Sequence, residues 1–204
     1  MKKSLLALCA VLCVGAASAS PFSVTVRGTY LQTVDRSDAF SALGLSFAKN
    51  SISVSDKLIP EIDLNYAFTD TVSAQLVLTV PQTHHVDLAG VGRLGSFKHL
   101  PPTLFVQYSP FPNQRFRPYV SAGVNYTLIF DTDLSVANVP LGLDNASIGL
   151  AGQTGFNYVI DQSWSLNVDV KKAMIRSDVT AGGAKLSEAR LDPWLYSLGV
   201  NYTF

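Results

Sequence analysis

Residues 191–204 alternate two kinds of side chain with a period of two. Apolar or aromatic residues occupy one set of alternate positions, which are Trp194, Tyr196, Leu198, Val200, Tyr202 and Phe204. Because successive side chains of a strand point to opposite faces, the segment predicts a β-strand with one apolar face. Aromatic residues at both ends of that face are typical of a strand that crosses a membrane. Phe204 also resembles the signal that the outer-membrane insertion machinery reads, so we expect that machinery and outer-membrane lipid as partners.

The N-terminal residues have the organisation of a secretory signal peptide. Two lysines near the start precede an apolar run over residues 5–14, and Ala17 and Ala19 then frame a small-residue cleavage site. The run is too short for a transmembrane anchor, which takes about 20 apolar residues. We predict that residues 1–19 are cleaved and that residues 20–204 form one outer-membrane domain.

The predicted mature chain has no cysteine, because Cys9 and Cys13 both lie in the cleaved segment. Each follows a leucine where lipoprotein processing requires a small residue. A disulfide scaffold and a thiolate metal site are therefore excluded. Loss of Lys2 and Lys3 leaves 13 of the 15 basic residues against 15 acidic ones, a net charge of −2. No basic excess favours nucleic acid, and we expect no cofactor.

Seven further segments alternate in the same way. The eight predicted strands cover residues 22–34, 58–68, 73–80, 100–109, 117–130, 147–160, a segment beginning at 164, and 191–204. Four long polar loops (35–57, 81–99, 131–146 and 176–188) alternate with three short turns. This predicts an all-β fold, an eight-stranded antiparallel transmembrane β-barrel with four long extracellular loops and three short periplasmic turns. A soluble lipocalin-like barrel is the rival, but it buries its apolar face inward, whereas small and polar residues dominate the face opposite the aromatic-rimmed one here.

The same alternation of side chains between the two strand faces assigns residues to the lumen and to the lipid interfaces. Mid-strand positions predicted to form a constriction are Val77, Phe105, Tyr119, Ile129, Lys171 and Leu195. Charged positions predicted to form a lumen network are Arg27, Glu61, Asp63, Arg117 and Asp169. Aromatic positions predicted to anchor the strands at the interfaces are Trp164, Trp194, Tyr202 and Phe204.

Two clusters invite a chemical interpretation. Glu61 and Asp63 lie about 7 Å apart on one strand face, a spacing open to paired catalytic carboxylates. Basic partners are available, so a structural ion-pair network is favoured, and we expect neither catalytic residues nor enzymatic activity. His84, His85 and His99 belong to the second long loop. Adjacent histidines on an extended segment point apart, so a solvated loop is favoured over a metal site.

Four blocks of sequence resemble the OmpW family of Gram-negative outer-membrane proteins. They are residues 99–104 (HLPPTL), 116–120 (FRPYV), 122–127 (AGVNYT) and 190–194 (RLDPW). The resemblance implies an eight-stranded barrel with a narrow, largely apolar lumen, associated with uptake of small hydrophobic molecules across the outer membrane. The inward charges depart from that picture. Either they pair into a polar plug or the path is more hydrophilic.

The resulting hypothesis is a barrel for passive passage of small hydrophobic molecules across the outer membrane. An eight-stranded barrel is only just wide enough for its own side chains, so solute would enter from the loops and leave sideways through the wall. The alternative is a non-transporting surface protein, in which the barrel anchors loops used for adhesion or protection.

Overall fold

The structure, a computed structural model, describes residues 20–34, 36–37, 39–42, 45–136 and 139–204. The predicted signal peptide, residues 1–19, lies outside the described residues. None of the described residues belongs to a helix long and apolar enough to cross a membrane. The strands in chain order are β1 (Phe22–Gln32), β2 (Arg36–Ser37), β3 (Phe40–Ala42), β4 (Leu45–Phe47), β5 (Ile52–Val54), β6 (Lys57–Ala67), β7 (Val72–Thr79), β8 (Gln82–Leu88), β9 (Gly92–Leu100), β10 (Thr103–Tyr108), β11 (Phe116–Val136), β12 (Val139–Leu143), β13 (Ala146–Val159), β14 (Trp164–Ala173), β15 (Arg176–Ala181), β16 (Ala184–Arg190) and β17 (Trp194–Thr203).

Eight of these strands form a closed antiparallel barrel. The order around it is β1, β6, β7, β10, β11, β13, β14 and β17, with each strand paired to the next. β17 returns to β1 over ten residue pairs, from Ser23↔Thr203 to Gln32↔Trp194. Residues 68–71, 109–115 and 160–163 make the three short turns at one rim. The predicted eight-stranded fold is confirmed.

The four long extracellular connections are present as predicted, but they contain further strands that the sequence prediction did not include. β8 and β9 pair into one hairpin, and β15 and β16 pair into another. β11 continues to Val136, six residues beyond its predicted end. The physical reason is that strands beyond the lipid need no apolar outer face, so the alternation that identifies membrane strands is absent there.

The polarity of the sheet reverses between the two halves of the molecule. In the membrane band, large apolar side chains such as Leu104, Val124 and Ile148 face outward and are exposed. In the extracellular hairpins, the apolar side chains face inward and form a common core. The buried members of that core include Val86, Leu88, Leu94, Phe97, Leu134 and Val136. The extracellular half is therefore built like a soluble barrel, and the half within the lipid is built like a membrane barrel.

Candidate functional site in the barrel lumen

The periplasmic end of the lumen is a polar vestibule of about 530 Å³. Hydroxyl and amide side chains line much of its wall, among them Ser23, Thr25, Asn65, Gln75, Asn157 and Asn201. Asn65 Nδ2 donates to Thr25 Oγ1 at 3.1 Å, and Thr25 Oγ1 donates to Asn201 Oδ1 at 3.0 Å. These side chains bond to one another across the strands β6, β1 and β17. The vestibule thus offers a polar surface to the periplasm, and its wall also contains the charged residues Asp70, Arg115, Arg117 and Asp161.

A cluster of charged side chains closes the lumen above the vestibule. Arg27 on β1 forms ion pairs with Asp63 on β6 and Asp169 on β14. Lys171 Nζ lies 2.7 Å from Glu61 Oε2 and 3.2 Å from Asp169 Oδ1. All five side chains are at most 5% exposed. Two cations and three carboxylates therefore share one buried layer.

Hydroxyl and amide groups add further hydrogen bonds to this cluster. Thr29 Oγ1 donates to Glu61 Oε2 at 2.8 Å, and Lys171 Nζ donates to Ser197 Oγ at 2.9 Å. Arg27 Nη1 donates to Asn167 Oδ1 at 3.0 Å. Pairing with opposite charges and with polar groups offsets the cost of burying these charges. The cluster is a polar plug across the barrel, and axial passage of an apolar solute would require its disruption.

The structure does not bring Arg117 into this cluster. Arg117 is half-buried near the periplasmic rim, lines the vestibule, and donates from Nε to the Gln114 carbonyl oxygen at 2.9 Å. Its position one residue into β11 explains this difference, because inward residues near a rim reach water. Lys171, predicted to face the lumen at a constriction, is buried in the lumen at the centre of the charge cluster.

The predicted constriction residues are all buried but lie at different depths. Tyr119 is on the vestibule side of the cluster, where its hydroxyl accepts a 3.0 Å bond from Asn167 Nδ2. Val77, Phe105 and Leu195 line a small cavity directly above the cluster. Ile129 belongs to a separate cavity nearer the extracellular end. The six positions therefore do not form one ring.

The extracellular cavity is lined almost entirely by apolar side chains. Its wall consists of Phe47, Ile52, Val54, Val86, Leu88, Leu94, Phe97, Ile129, Leu134, Val136, Leu141, Leu143, Ser177, Val179, Leu186, Ser187, Ala189 and Leu191. The sequence interpretation missed most of this wall, because it falls in the segments predicted as loops. A period-two signal was present in Val86 and Leu88, and again in Leu134 and Val136. It is the inverse of the membrane pattern, with the apolar face turned inward.

Two of the three loop histidines are buried in the lumen. His84 and His99 stack with ring centroids 4.7 Å apart and ring planes 10° apart. The predicted solvated loop is therefore wrong for these two, whereas His85 on the opposite face of β8 is exposed. Burial lowers the pKa of His84 to about 4 and that of His99 to about 3. Over the described ranges, no group of three or more His, Cys, Asp or Glu residues is placed to hold a metal ion.

The predicted anchors face outward at the two edges of the membrane band. Trp164 and Tyr202 pack edge to face at 4.8 Å between ring centroids, and Tyr202 packs in the same way on Phe204 at 5.1 Å. Trp194, at the opposite end of β17, lies under Lys172 Nζ, which is 4.8 Å from its ring centroid. Aromatic residues at both ends of one strand suit the two lipid–water interfaces.

The closed barrel, its lipid-facing outer band and its aromatic edges define a multi-pass outer-membrane β-barrel protein. Residues 22–204 match the OmpW family, and the chain belongs to that family. The uncharacterized outer-membrane protein y4mB of Sinorhizobium fredii is 36% identical over 194 residues, covering 93% of this chain and 82% of the relative. The crystal structure of the outer membrane protein OprG from Pseudomonas aeruginosa superposes with a TM-score of 0.79 and 29% identity, covering 91% of this chain and 97% of OprG.

A more distant relative has a name that refers to the metabolism of dibenzothiophene. The dibenzothiophene metabolism operon protein PahQ of Pseudomonas aeruginosa is 28% identical over 160 residues, covering 76% of this chain and 75% of the relative.

Proposed function

We propose that this protein admits small hydrophobic molecules through the outer membrane by passive, non-enzymatic diffusion. The observation that carries the proposal is the extracellular cavity, whose wall is apolar except for Ser177 and Ser187. Apolar side chains turned away from solvent offer a solute the same free-energy gain, about 25 cal/mol per Å² of buried apolar surface, that drives folding. The name of PahQ, which refers to an aromatic heterocycle, is consistent with such a solute.

The route proposed for the solute leaves the barrel before the charge cluster. An apolar molecule gains nothing from the polar vestibule, and the ion pairs around Arg27 and Lys171 fill the lumen between the two cavities. Below the extracellular cavity, the small cavity above the cluster is lined on one side by Val77, Thr79, Pro101 and Thr103. These residues belong to one place in the barrel wall.

That place is the proposed exit into the membrane. The ladder between β7 and β10 ends at the pair Val77↔Thr103. Pro101 and Pro102 come directly before β10 and have no N–H group with which to extend the ladder. A wall without backbone hydrogen bonds separates at lower cost than one with a complete ladder, so we place the lateral exit between β7 and the proline pair.

The outward aromatic face of β17 supports a further assignment. We propose that β17, with Tyr202 and Phe204, is the segment that the outer-membrane insertion machinery reads, and that the barrel wall is then solvated by outer-membrane lipid. Replacing Phe204 with Ala is expected to lower the yield of folded barrel in the outer membrane while leaving refolding into detergent unchanged. Equal yields in cells would contradict this assignment.

A transport measurement tests the main proposal. Proteoliposomes with lipopolysaccharide in the outer leaflet, with and without the protein, are given p-xylene, and the rate of entry is compared. Leu134→Lys places a charge in the apolar cavity, whereas Ser135→Lys places the same charge on the exposed face of the same strand. The wild type and Ser135→Lys are expected to speed entry, and Leu134→Lys is expected to abolish the increase. No difference between wild-type and protein-free vesicles would favour the surface-anchor alternative.

A further inference from the structure

The stacked histidines continue the inner wall of the apolar cavity towards the membrane. On β8, Val86 lines the cavity and His84 is the next residue on the same face. On β9, Phe97 lines the cavity and His99 is the next residue on the same face. His99 is also the register partner of Ile129, another cavity residue. Neither histidine is part of the cavity wall itself, but His84 stacks on the cavity residue Phe97, so the two imidazoles border the cavity on its membrane side.

Three ring nitrogens of the pair have no hydrogen-bond partner among the residues that the structure describes. His84 Nδ1 lies 2.8 Å from the Ser55 carbonyl oxygen, so Nδ1 carries the proton and donates. His84 Nε2 is then an acceptor, and it is buried without a partner within the described chain, as are His99 Nδ1 and Nε2. Buried polar groups in proteins are nearly always hydrogen-bonded. The pair thus presents two acceptors and one donor to whatever occupies the lumen beside it.

The rings also provide a flat aromatic surface. Phe97 and His84 stack with centroids 5.8 Å apart, and His84 and His99 continue the stack at 4.7 Å. Burial keeps the pKa of both imidazoles far below neutral pH. The rings therefore remain uncharged and retain a donor and an acceptor each. Nearly parallel rings direct their in-plane lone pairs along separate planes, so the pair does not converge on a metal ion.

We propose that His84 and His99 form a selectivity site for small aromatic solutes that carry a hydroxyl or N–H group. The aromatic body of such a solute packs in the apolar cavity against Phe97, and its polar hydrogen is accepted by an imidazole nitrogen. This inference rests on the proposed function and narrows its substrate class, from hydrophobic molecules in general to phenol-like amphiphiles. A purely apolar solute of the same shape leaves the nitrogens unpaired and gains less.

The experiment compares p-cresol with p-xylene, which differ only by a hydroxyl in place of a methyl group. Entry rates of both are measured in the lipopolysaccharide-containing proteoliposomes for wild type, the double variant His84→Phe/His99→Phe, and His85→Phe as a matched control on the exposed face. The ratio of p-cresol to p-xylene entry is the readout. We expect the double variant to lower this ratio about threefold to tenfold, the value of one or two neutral hydrogen bonds, and His85→Phe to leave it unchanged.

The outcomes separate this inference from the function on which it rests. If wild-type protein speeds neither solute, the proposed passage itself fails. If it speeds p-xylene and the double variant leaves the ratio unchanged, the selectivity site alone is overturned. His99→Gln keeps a donor and an acceptor and is expected to retain the wild-type ratio, which distinguishes lost hydrogen bonding from a general disturbance of the hairpin.

Discussion

At the scale of single residues, Lys171 balances two carboxylates inside the barrel, Glu61 and Asp169. Neither carboxylate reaches solvent, and Arg27 alone would face three negative groups if Lys171 lost its charge. Removing one partner of a buried ion pair leaves an uncompensated charge, and the cost exceeds the net value of the intact pair. The charge cluster therefore depends on each of its members.

Lys171→Met is expected to lower the free energy of unfolding by about 3–5 kcal/mol, because it leaves buried carboxylates without a counter-charge. Urea unfolding in lipid vesicles measures this change, and ion conductance in planar bilayers reports whether the plug has loosened. Lys98→Met removes an exposed pair with Asp131 and is expected to cost about 0–1 kcal/mol. Equal stability and equal conductance for wild type and Lys171→Met would show that Lys171 does not hold the plug.

His84 and His99 are expected to make the β8–β9 hairpin sensitive to acid. Their folded pKa values, about 4 and about 3, lie below the ordinary value of 6.5. In the opened hairpin the two histidines therefore bind protons at a pH at which they stay neutral in the folded hairpin. The contribution of the two neutral histidines to the stability of the hairpin is fully present above pH 6.5. It falls as the pH drops towards about 3 and changes little below that. Charges on Lys57 and His85 also lower the pKa of His84, whereas the hydrogen bond to Ser55 and the charge of Asp56 raise it.

At pH 5.5, one unit below the ordinary pKa, each histidine is expected to increase opening of the hairpin about tenfold. Hydrogen exchange of the amides in β8, corrected for the intrinsic rate at each pH, measures the opening. The variant His84→Phe/His99→Phe is expected to lose this pH dependence. A wild-type hairpin whose opening is the same at pH 7.5 and pH 5.5 would disprove the effect.

At the scale of strands, small inward residues let the barrel close around its charge cluster. Gly199 on β17 is paired with Arg27 on β1, and a Cβ at Gly199 would overlap the Val26 carbonyl oxygen and the Arg27 Cβ atom. Gly152 on β13 faces outward, with open space around the position of its missing Cβ. A methyl group therefore fits at position 152 but not at position 199.

Gly199→Ala is expected to destabilise the barrel by about 1–3 kcal/mol, because the added methyl group forces β17 away from β1 or displaces Arg27. Gly152→Ala is the matched control and is expected to change the stability by less than about 0.5 kcal/mol. The shift in the unfolding midpoint in the same vesicles measures both. If the two substitutions have equal effects, close packing at Gly199 is not required.

At the scale of the whole molecule, the lumen has three layers with different chemistry. The extracellular cavity is apolar, the middle is an ion-paired plug, and the periplasmic vestibule is lined with amides and hydroxyls. No single solute is well matched to all three layers. A molecule suited to the first layer is therefore expected to leave through the wall before it reaches the third.

A cross-link across the proposed exit tests this route. The predicted mature chain has no cysteine, so Leu78→Cys/Pro102→Cys can be joined specifically by a short thiol cross-linker. Joining these positions is expected to reduce p-xylene entry severalfold, and cleaving the link is expected to restore it. Ala74→Cys/Val106→Cys links a register pair within the intact ladder and is expected to have no effect. Unchanged entry after complete linking at Leu78 and Pro102 would exclude this exit.

The sequence by itself determined the barrel and the direction of its side chains. Lipid requires an apolar outer face, so strands such as β17 and β11 carry a period-two pattern that is readable residue by residue. The same parity turned Arg27, Glu61 and Lys171 inward, because charges in hydrocarbon are costly. The family resemblance in residues 99–104 and 190–194 reflects these same strands and their ends.

Only the tertiary structure decided what the inward and extracellular residues do. The alternation gives the face on which a side chain lies but not its position along the barrel axis. The sequence therefore could not show that Arg117 lies outside the charge cluster. Partners such as Lys171 and Glu61 are 110 positions apart in the chain and meet only after the barrel closes. The extracellular hairpins are surrounded by water and need no apolar outer face, so the sequence does not mark them as membrane strands. The apolar cavity and the stacked His84 and His99 are therefore visible only in the folded hairpins.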